Sequence, residues 1–252
     1  MEFIWLVAAA SVFTATIVQT VTGAGLGLMA GPILLLAMGA PEAIPVAVVL
    51  NLVLSLALLP GELRELPAKS LGSLCIGAAI GLPIGLWALS LASLATLKLL
   101  AALTVTAGGL QMCLGARAVK STKPSSSLPV FGAVSGAMTS ALAIPGPVAL
   151  WGLSSTELTV TEVRATLRAY FVLAYTCTLS AYAISDFDWP IVLEVSLWMT
   201  GPLIAGALVG VYVKRKHSGQ WLRTAFVALV LLTGVTMLVE SAWSYLSSDL
   251  LN

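Results

Sequence analysis

Long apolar stretches follow one another along almost the whole chain, and this feature restricts the possible fold more than any other. A transmembrane helix needs roughly 20 apolar residues, and eight stretches reach that length. Only 9% of the residues are charged, whereas a soluble domain carries about 25%. We therefore predict an all-α polytopic membrane protein. The stretches are 3–38, 41–60, 71–92, 96–116, 128–155, 163–184, 189–213 and 220–246.

Two of these stretches are interrupted by residues that break helices. The stretch 3–38 is too long for one span and contains Gly23-Ala24-Gly25-Leu26-Gly27, and the stretch 128–155 contains Pro145-Gly146-Pro147. Proline removes a backbone donor, and glycine loosens the backbone. Each stretch is therefore predicted to form a broken helical hairpin. The sequence leaves open whether 3–38 makes two full spans or a re-entrant hairpin.

The basic residues indicate which ends of the spans face the cytoplasm, because Lys and Arg collect there. If 128–155 enters the membrane and returns to the same side, 11 of the 12 basic residues share one side, and Lys98 is the exception. The predicted topology therefore has a basic cytoplasmic linker at 119–127 and both termini outside the cytoplasmic membrane. Arg164 and Arg168 follow from this bias, or alternatively attract anions to the inner mouth.

The chain also contains a weak internal repeat. Gly31-Pro32 resembles Gly146-Pro147, and glycines at 77, 81 and 85 recur at 201, 206 and 210. Each half, 1–118 and 128–252, is predicted to be one broken hairpin followed by three transmembrane helices. An odd number of crossings turns the second half upside down, so we predict two inverted repeats, as in many secondary transporters. The repeated glycines are predicted to be faces of close helix packing.

The breaks are the predicted binding site. Irregular backbone at membrane depth persists only inside protein or along a cavity, and a helix that begins there turns free amides and its positive dipole end to the gap. An anion is the natural occupant. The neighbouring hydroxyl and amide groups either donate to that anion or bond helix backbones. The predicted binding residues are Gln19, Thr22, Gly23, Gly25, Gly27, Pro32, Ser135, Gly136, Thr139, Ser140, Pro145, Gly146 and Pro147, with Asn51, Arg168, Tyr170 and Tyr175 as a second group.

Nothing in the sequence has the spacing of a catalytic or metal-binding group. The single histidine, His217, lies among basic residues, and the three cysteines stand apart in apolar segments. Neither enzyme activity, nor a metal, nor a cofactor is therefore predicted. A net charge of +1 gives no sign of nucleic-acid binding. The expected partners are a small anionic substrate and the lipid bilayer, and a homodimer is left open.

The breaks resemble those of the TauE/SafE, or sulfite exporter, family. The residues that carry the resemblance are Gln19-Thr20-Val21-Thr22-Gly23-Ala24-Gly25-Leu26-Gly27-Leu28 and Pro32-Ile33-Leu34-Leu35, then Gly132-Ala133-Val134-Ser135-Gly136 followed by Pro147. In the second break, Thr139-Ser140-Ala141-Leu142-Ala143-Ile144-Pro145 replaces the glycines usual in the family. The resemblance implies a secondary transporter that moves sulfite or an organosulfonate, usually outward, by alternating access. A channel-like anion pore and a non-transporting membrane scaffold are the alternatives.

Overall fold

The computed structural model describes residues 2–39, 41–114 and 127–216, together with several residues between 227 and 239. This part of the chain is helical and contains no strand, which confirms the predicted all-α class. The predicted linker 119–127 lies outside the described residues except for Ser127, and so does most of the predicted span 220–246. The helices are α1 (Glu2–Thr22), α2 (Leu26–Met38), α3 (Ala43–Leu58), α4 (Ala68–Leu91), α5 (Leu94–Leu114), α6 (Leu128–Leu142), α7 (Gly146–Ser154), α8 (Val160–Tyr182) and α9 (Trp189–Lys216).

The distribution of polar and apolar side chains is that of a protein surrounded by lipid. Within the described residues, four helical segments are long and apolar enough to cross a membrane: Phe3–Thr22, Ala43–Gly61, Ala68–Leu91 and Trp189–Lys216. On α4, Ile76, Ile80 and Ile84 are exposed at four-residue intervals, so they form one outward apolar face. Polar side chains such as Gln19 and Asn51 are buried instead.

Helices α4 and α6 pack closely through a glycine seam, which consists of Gly77, Gly81 and Gly85 on α4 with Gly132 and Gly136 on α6. A Cβ atom on Gly81 would overlap the backbone of Ala133, and one on Gly132 would overlap the backbone of Leu74. Small residues let two helix backbones approach in a membrane, where van der Waals contact drives association. The seam therefore fixes the first arm of the second hairpin against α4.

Helices α1 and α9 form a corresponding pair. A Cβ atom on Gly206 would lie 2.5 Å from the Phe13 carbonyl oxygen, and one on Gly210 would lie 2.6 Å from the Thr20 Cβ atom. Around Gly201, in contrast, no atom of the described residues lies within 4 Å of the Cβ position. The predicted packing face on α9 therefore excludes Gly201.

The two halves of the chain contact each other through equivalent helices. Helix α4 of the first half packs on α6, and α9 of the second half packs on α1, while α3 packs on α8. In the sequence repeat, α4–α6 and α9–α1 are corresponding pairs, and α3 and α8 occupy corresponding positions. Helices of one half thus pack on helices of the other, as expected of two repeats that fold together. The inverted orientation of the repeats remains a prediction.

The second arm of each hairpin is short. With 13 residues in α2 and nine in α7, the arms measure about 20 Å and 14 Å at about 1.5 Å per residue. The hydrocarbon core of a bilayer is about 30 Å thick. Neither arm is long enough to cross it alone.

A capping box fixes where α8 begins. The Thr159 hydroxyl accepts a hydrogen bond from the Glu162 amide, and the Glu162 carboxylate accepts one from the Thr159 amide. The bond from the Thr159 amide, and after it one from the Thr159 hydroxyl to the same carboxylate, hold the pKa of Glu162, which precedes the predicted span, below its ordinary value. Arg164 and Arg168 follow soon after this fixed start. Since they are four residues apart, they lie on one helix face.

Candidate functional site

The two helix breaks meet in the interior of the protein. A Cβ atom on Gly27, at the start of α2, would overlap the carbonyl oxygen of Ala143, at the end of α6. A Cβ atom on Gly146, at the start of α7, would lie 3.1 Å from the Ala24 Cβ atom. The N-terminal ends of α2 and α7 therefore lie next to each other, as the prediction of one shared site requires.

The first break is organised by Gln19. Gly23 has φ 95°, a conformation that glycine adopts without a steric penalty, and its amide donates to the Gln19 carbonyl oxygen at 2.8 Å. The Gln19 side chain accepts from the Leu26 amide at 2.7 Å and donates to the Asn51 Oδ1 atom at 3.2 Å. The side chain therefore acts as an N-cap for α2. Its two bonds join α1, α2 and α3 at the break.

The second break is held by hydroxyl groups. The Ser135 hydroxyl donates to the Pro145 carbonyl oxygen at 2.9 Å, and the Tyr170 hydroxyl donates to the Ser135 Oγ atom at 3.1 Å. Ser135 is therefore occupied as both donor and acceptor. It ties α6 to the turn before α7 and, through Tyr170, to α8.

A small cavity lies between the two breaks. Its empty space is about 180 Å³ including the part that opens beyond the lining, and in this conformation it has room for about one water molecule. In the described part of the chain, no acceptor pairs with the amide N–H of Gly25, Gly27 or Gly146. Unpaired amides at two helix starts favour an anion. The cavity is lined by Gln19, Gly25, Gly27, Leu28, Asn51, Ile144, Pro145, Gly146, Phe171 and Tyr175.

The lining contains some of the predicted binding residues and omits others. Gln19, Gly25, Gly27, Pro145 and Gly146 line the cavity, as do Asn51 and Tyr175 from the second group. The remaining predicted residues lie outside the lining in this structure; they are Thr22, Gly23, Pro32, Ser135, Gly136, Thr139, Ser140, Pro147, Arg168 and Tyr170.

Hydroxyl groups near the breaks donate to backbone carbonyls, which is the alternative that the sequence left open. Thr22 donates to the Val18 and Ala24 oxygens, and Thr139 donates to the Ser135 carbonyl oxygen. Ser140 donates across to the Leu82 carbonyl oxygen of α4 at 2.8 Å. In this conformation these groups hold the breaks in shape and do not line the cavity.

Three predicted residues without donor side chains occupy packing positions. Gly136 belongs to the glycine seam and faces Ala78. Pro32 lies within α2, which begins at Leu26. The Pro147 ring lies near Gly108 of α5, 2.9 Å from that residue's Cβ position.

Phe171 lines the cavity and was absent from the predicted residues. It lies on α8 four residues before Tyr175, and their ring centroids are 5.7 Å apart. Residues four apart share a helix face, so the prediction of Tyr175 as a site residue could also have indicated Phe171. Leu28 and Ile144, which flank the breaks in sequence, supply the rest of the apolar wall.

An apolar exterior around a buried, polar break in two helices is typical of membrane transport proteins. The sequence profile of the sulfite exporter TauE/SafE family matches residues 7–237. The chain therefore belongs to this family of membrane transporters. No curated protein and no solved structure matches it.

Proposed function

We propose that the protein is a secondary transporter that moves a small sulfur-containing oxyanion, sulfite or an organosulfonate, out of the cytoplasm by alternating access. The observation that carries this proposal is the contact of two helix starts across one small cavity. Each helix N-terminus has a partial charge of about half an elementary charge. Together they suit one compact anionic head, and no buried basic side chain lines the cavity among the described residues.

The cavity wall supports a limit on the size and shape of the substrate. Leu28, Ile144 and Phe171 add apolar side chains to the lining, which favours a substrate with a short carbon tail. A second, distant charge has no partner among these lining residues. Sulfite and short alkyl sulfonates therefore fit the proposal better than sugars, cations or extended dianions.

Flux measurements in proteoliposomes test the proposal. Sulfite uptake should saturate and should accelerate when sulfite is present on the opposite side, which is counterflow. A flux that rises linearly and shows no counterflow would indicate a pore. If neither sulfite nor any short sulfonate crosses the membrane, the remaining interpretation is a non-transporting scaffold.

Gln19 offers a sharper test of the site. Replacement by Glu keeps the side chain's size and its acceptor for the Leu26 amide, but it adds a negative charge to the cavity wall. Because charges interact strongly where solvent is scarce, Gln19→Glu should lower sulfite flux by about tenfold or more. Gln19→Met, which is neutral and similar in size but gives up both side-chain hydrogen bonds, measures the structural cost of changing this residue. A flux of Gln19→Glu equal to that of the wild type would show that the anion does not pass Gln19.

A further inference from the structure

A group of three cations around one buried carboxylate lies beside the first break. We call Glu62, Arg164, Arg168 and Lys214 the Glu62 cluster. Glu62 follows the 3-10 turn Leu59–Gly61 after α3, the arginines lie on α8, and Lys214 is in the last turn of α9. Glu62 and Arg168 are 6% and 3% exposed. The cluster therefore has an excess of positive charge, with Glu62 and Arg168 buried and Lys214 partly exposed.

All three cations converge on one oxygen atom. The Glu62 Oε1 atom lies 2.7 Å from Arg164 Nε, 2.7 Å from Arg168 Nη1 and 2.8 Å from Lys214 Nζ. Among the residues that the structure describes, the other carboxylate oxygen, Oε2, is buried without a hydrogen-bond partner, and so is Arg168 Nε. A buried charge is stable when each of its polar atoms is paired, so the carboxylate satisfies this set of donors poorly.

The cluster also adjoins the cavity. Arg168 Nη2 donates to the Thr20 carbonyl oxygen at 2.7 Å, and Arg164 Nη1 donates to the Val21 carbonyl oxygen at 3.3 Å. These carbonyls belong to the last turn of α1, next to Gln19, which lines the cavity. Capping of α1 explains these two bonds. It does not explain why three cations share one oxygen.

We propose that Arg164, Arg168 and Lys214 form a second oxyanion site, on the side predicted to face the cytoplasm, and that Glu62 occupies this site when no anion is bound. An anion with three oxygens on one atom, such as sulfite, a sulfonate or sulfate, offers each cation an oxygen of its own. Charge-assisted bonds of this kind are stronger and shorter than neutral ones. Glu62 thus acts as an internal competitor of the anion.

This proposal deepens the proposed function and rests on it for the role of the site. An anion that enters from the cytoplasm would displace the Glu62 carboxylate before it reaches the cavity. Since Glu62 connects α3 to α8 and α9 through the cluster, its displacement releases contacts between these helices. Binding at the second site would thereby loosen the protein on the side from which the anion arrives.

Titration calorimetry on the detergent-purified protein tests the site, with sulfite and inorganic sulfate as separate probes. Glu62→Gln removes the competing charge and should tighten binding of both anions by about tenfold or more. Adding Lys214→Gln to that variant should cancel the gain. The control is Glu65→Gln, which makes the same charge change at an exposed position three residues later. Equal affinities of Glu62→Gln and Glu65→Gln would overturn the proposal.

A second comparison covers the case in which Glu62→Gln does not fold. The Lys214 side chain is 34% exposed, so Lys214→Gln is tolerated more easily, and it should weaken sulfate binding several-fold. Arg215→Gln makes the same charge change at the next, exposed residue of α9 and should have no effect. Equal binding by these two variants would also overturn the proposal.

The outcomes separate this proposal from the proposed function. If Glu62→Gln gains affinity for oxyanions while wild-type proteoliposomes do not move sulfite, the second site stands and the sulfite transporter fails. If the wild-type protein transports sulfite and Glu62→Gln binds anions no better than Glu65→Gln, the second site alone fails.

Discussion

Ala143 holds a backbone conformation that alanine rarely adopts. Its φ of 58° and ψ of 28° end α6 in the left-handed region, where a Cβ atom crowds the following carbonyl. The strain lies at the second break, and the Ala143 carbonyl oxygen contacts α2 at Gly27. This is one of the positions at which the chain departs from the glycine-rich pattern it otherwise resembles.

We expect Ala143→Gly to raise the stability of the folded protein by about 1 kcal/mol, because glycine adopts this conformation without the clash. The thermal unfolding midpoint of the detergent-purified protein measures the effect. Gly39 is the matched reverse case, since its φ is 60° and no atom lies within 4 Å of its Cβ position. Gly39→Ala should therefore lower the midpoint. A lower midpoint for Ala143→Gly would contradict the assignment of strain.

The sequence predicted which residues form the breaks but not which of them face the cavity. Gln19, Gly25 and Gly146 were predictable because glycine, proline and buried amide side chains stand out within apolar stretches. The targets of Ser135 and Ser140 were not predictable, because their acceptors are carbonyls brought near by folding, one of them on α4. Glu62 was missed since its three cations lie more than 100 positions away.

At the scale of helices, the glycine seam shows how a small-residue face selects its partner. The spacing of Gly77, Gly81 and Gly85 predicted a packing face, because it repeats every four residues. It did not predict α6 as the partner, since spacing describes one helix and not the surface opposite it. The starts of α2 and α7, in contrast, lie at breaks that are visible in the sequence.

Gly81→Ala should destabilise the protein by about 1–3 kcal/mol or more. The added methyl group would overlap backbone atoms of Ala133, which cannot move aside as the end of a flexible side chain could. The yield of monodisperse protein and its unfolding midpoint report the loss. Gly72→Ala is the control on the same helix, since nothing lies within 4 Å of its Cβ position. Similar losses in both variants would mean that α4 does not depend on the seam.

For the whole molecule, the charge distribution predicts that residues 62–69 face the cytoplasm and residues 185–189 face outside. Single cysteines at Glu65 and Asp188, both exposed, should react with a membrane-impermeant reagent from opposite faces. The background must lack the three native cysteines. Labelling of both positions from one face would disprove the hairpin topology and the inverted orientation of the two repeats.

Helix α8 is hydrogen-bonded to both hairpins, and its two ends use different side chains for these bonds. Toward its start, arginines hold the end of α1 in a cluster that includes the partly exposed Lys214. Further along, the phenols of Tyr170 and Tyr182 hold α6 through Ser135 and the Ser140 carbonyl, in a fully buried setting. The first attachment involves charged groups and a partly exposed side chain, so dissolved ions screen it more than they screen the second. We therefore expect salt to weaken the hold of α8 on the first hairpin and to leave its hold on the second unchanged.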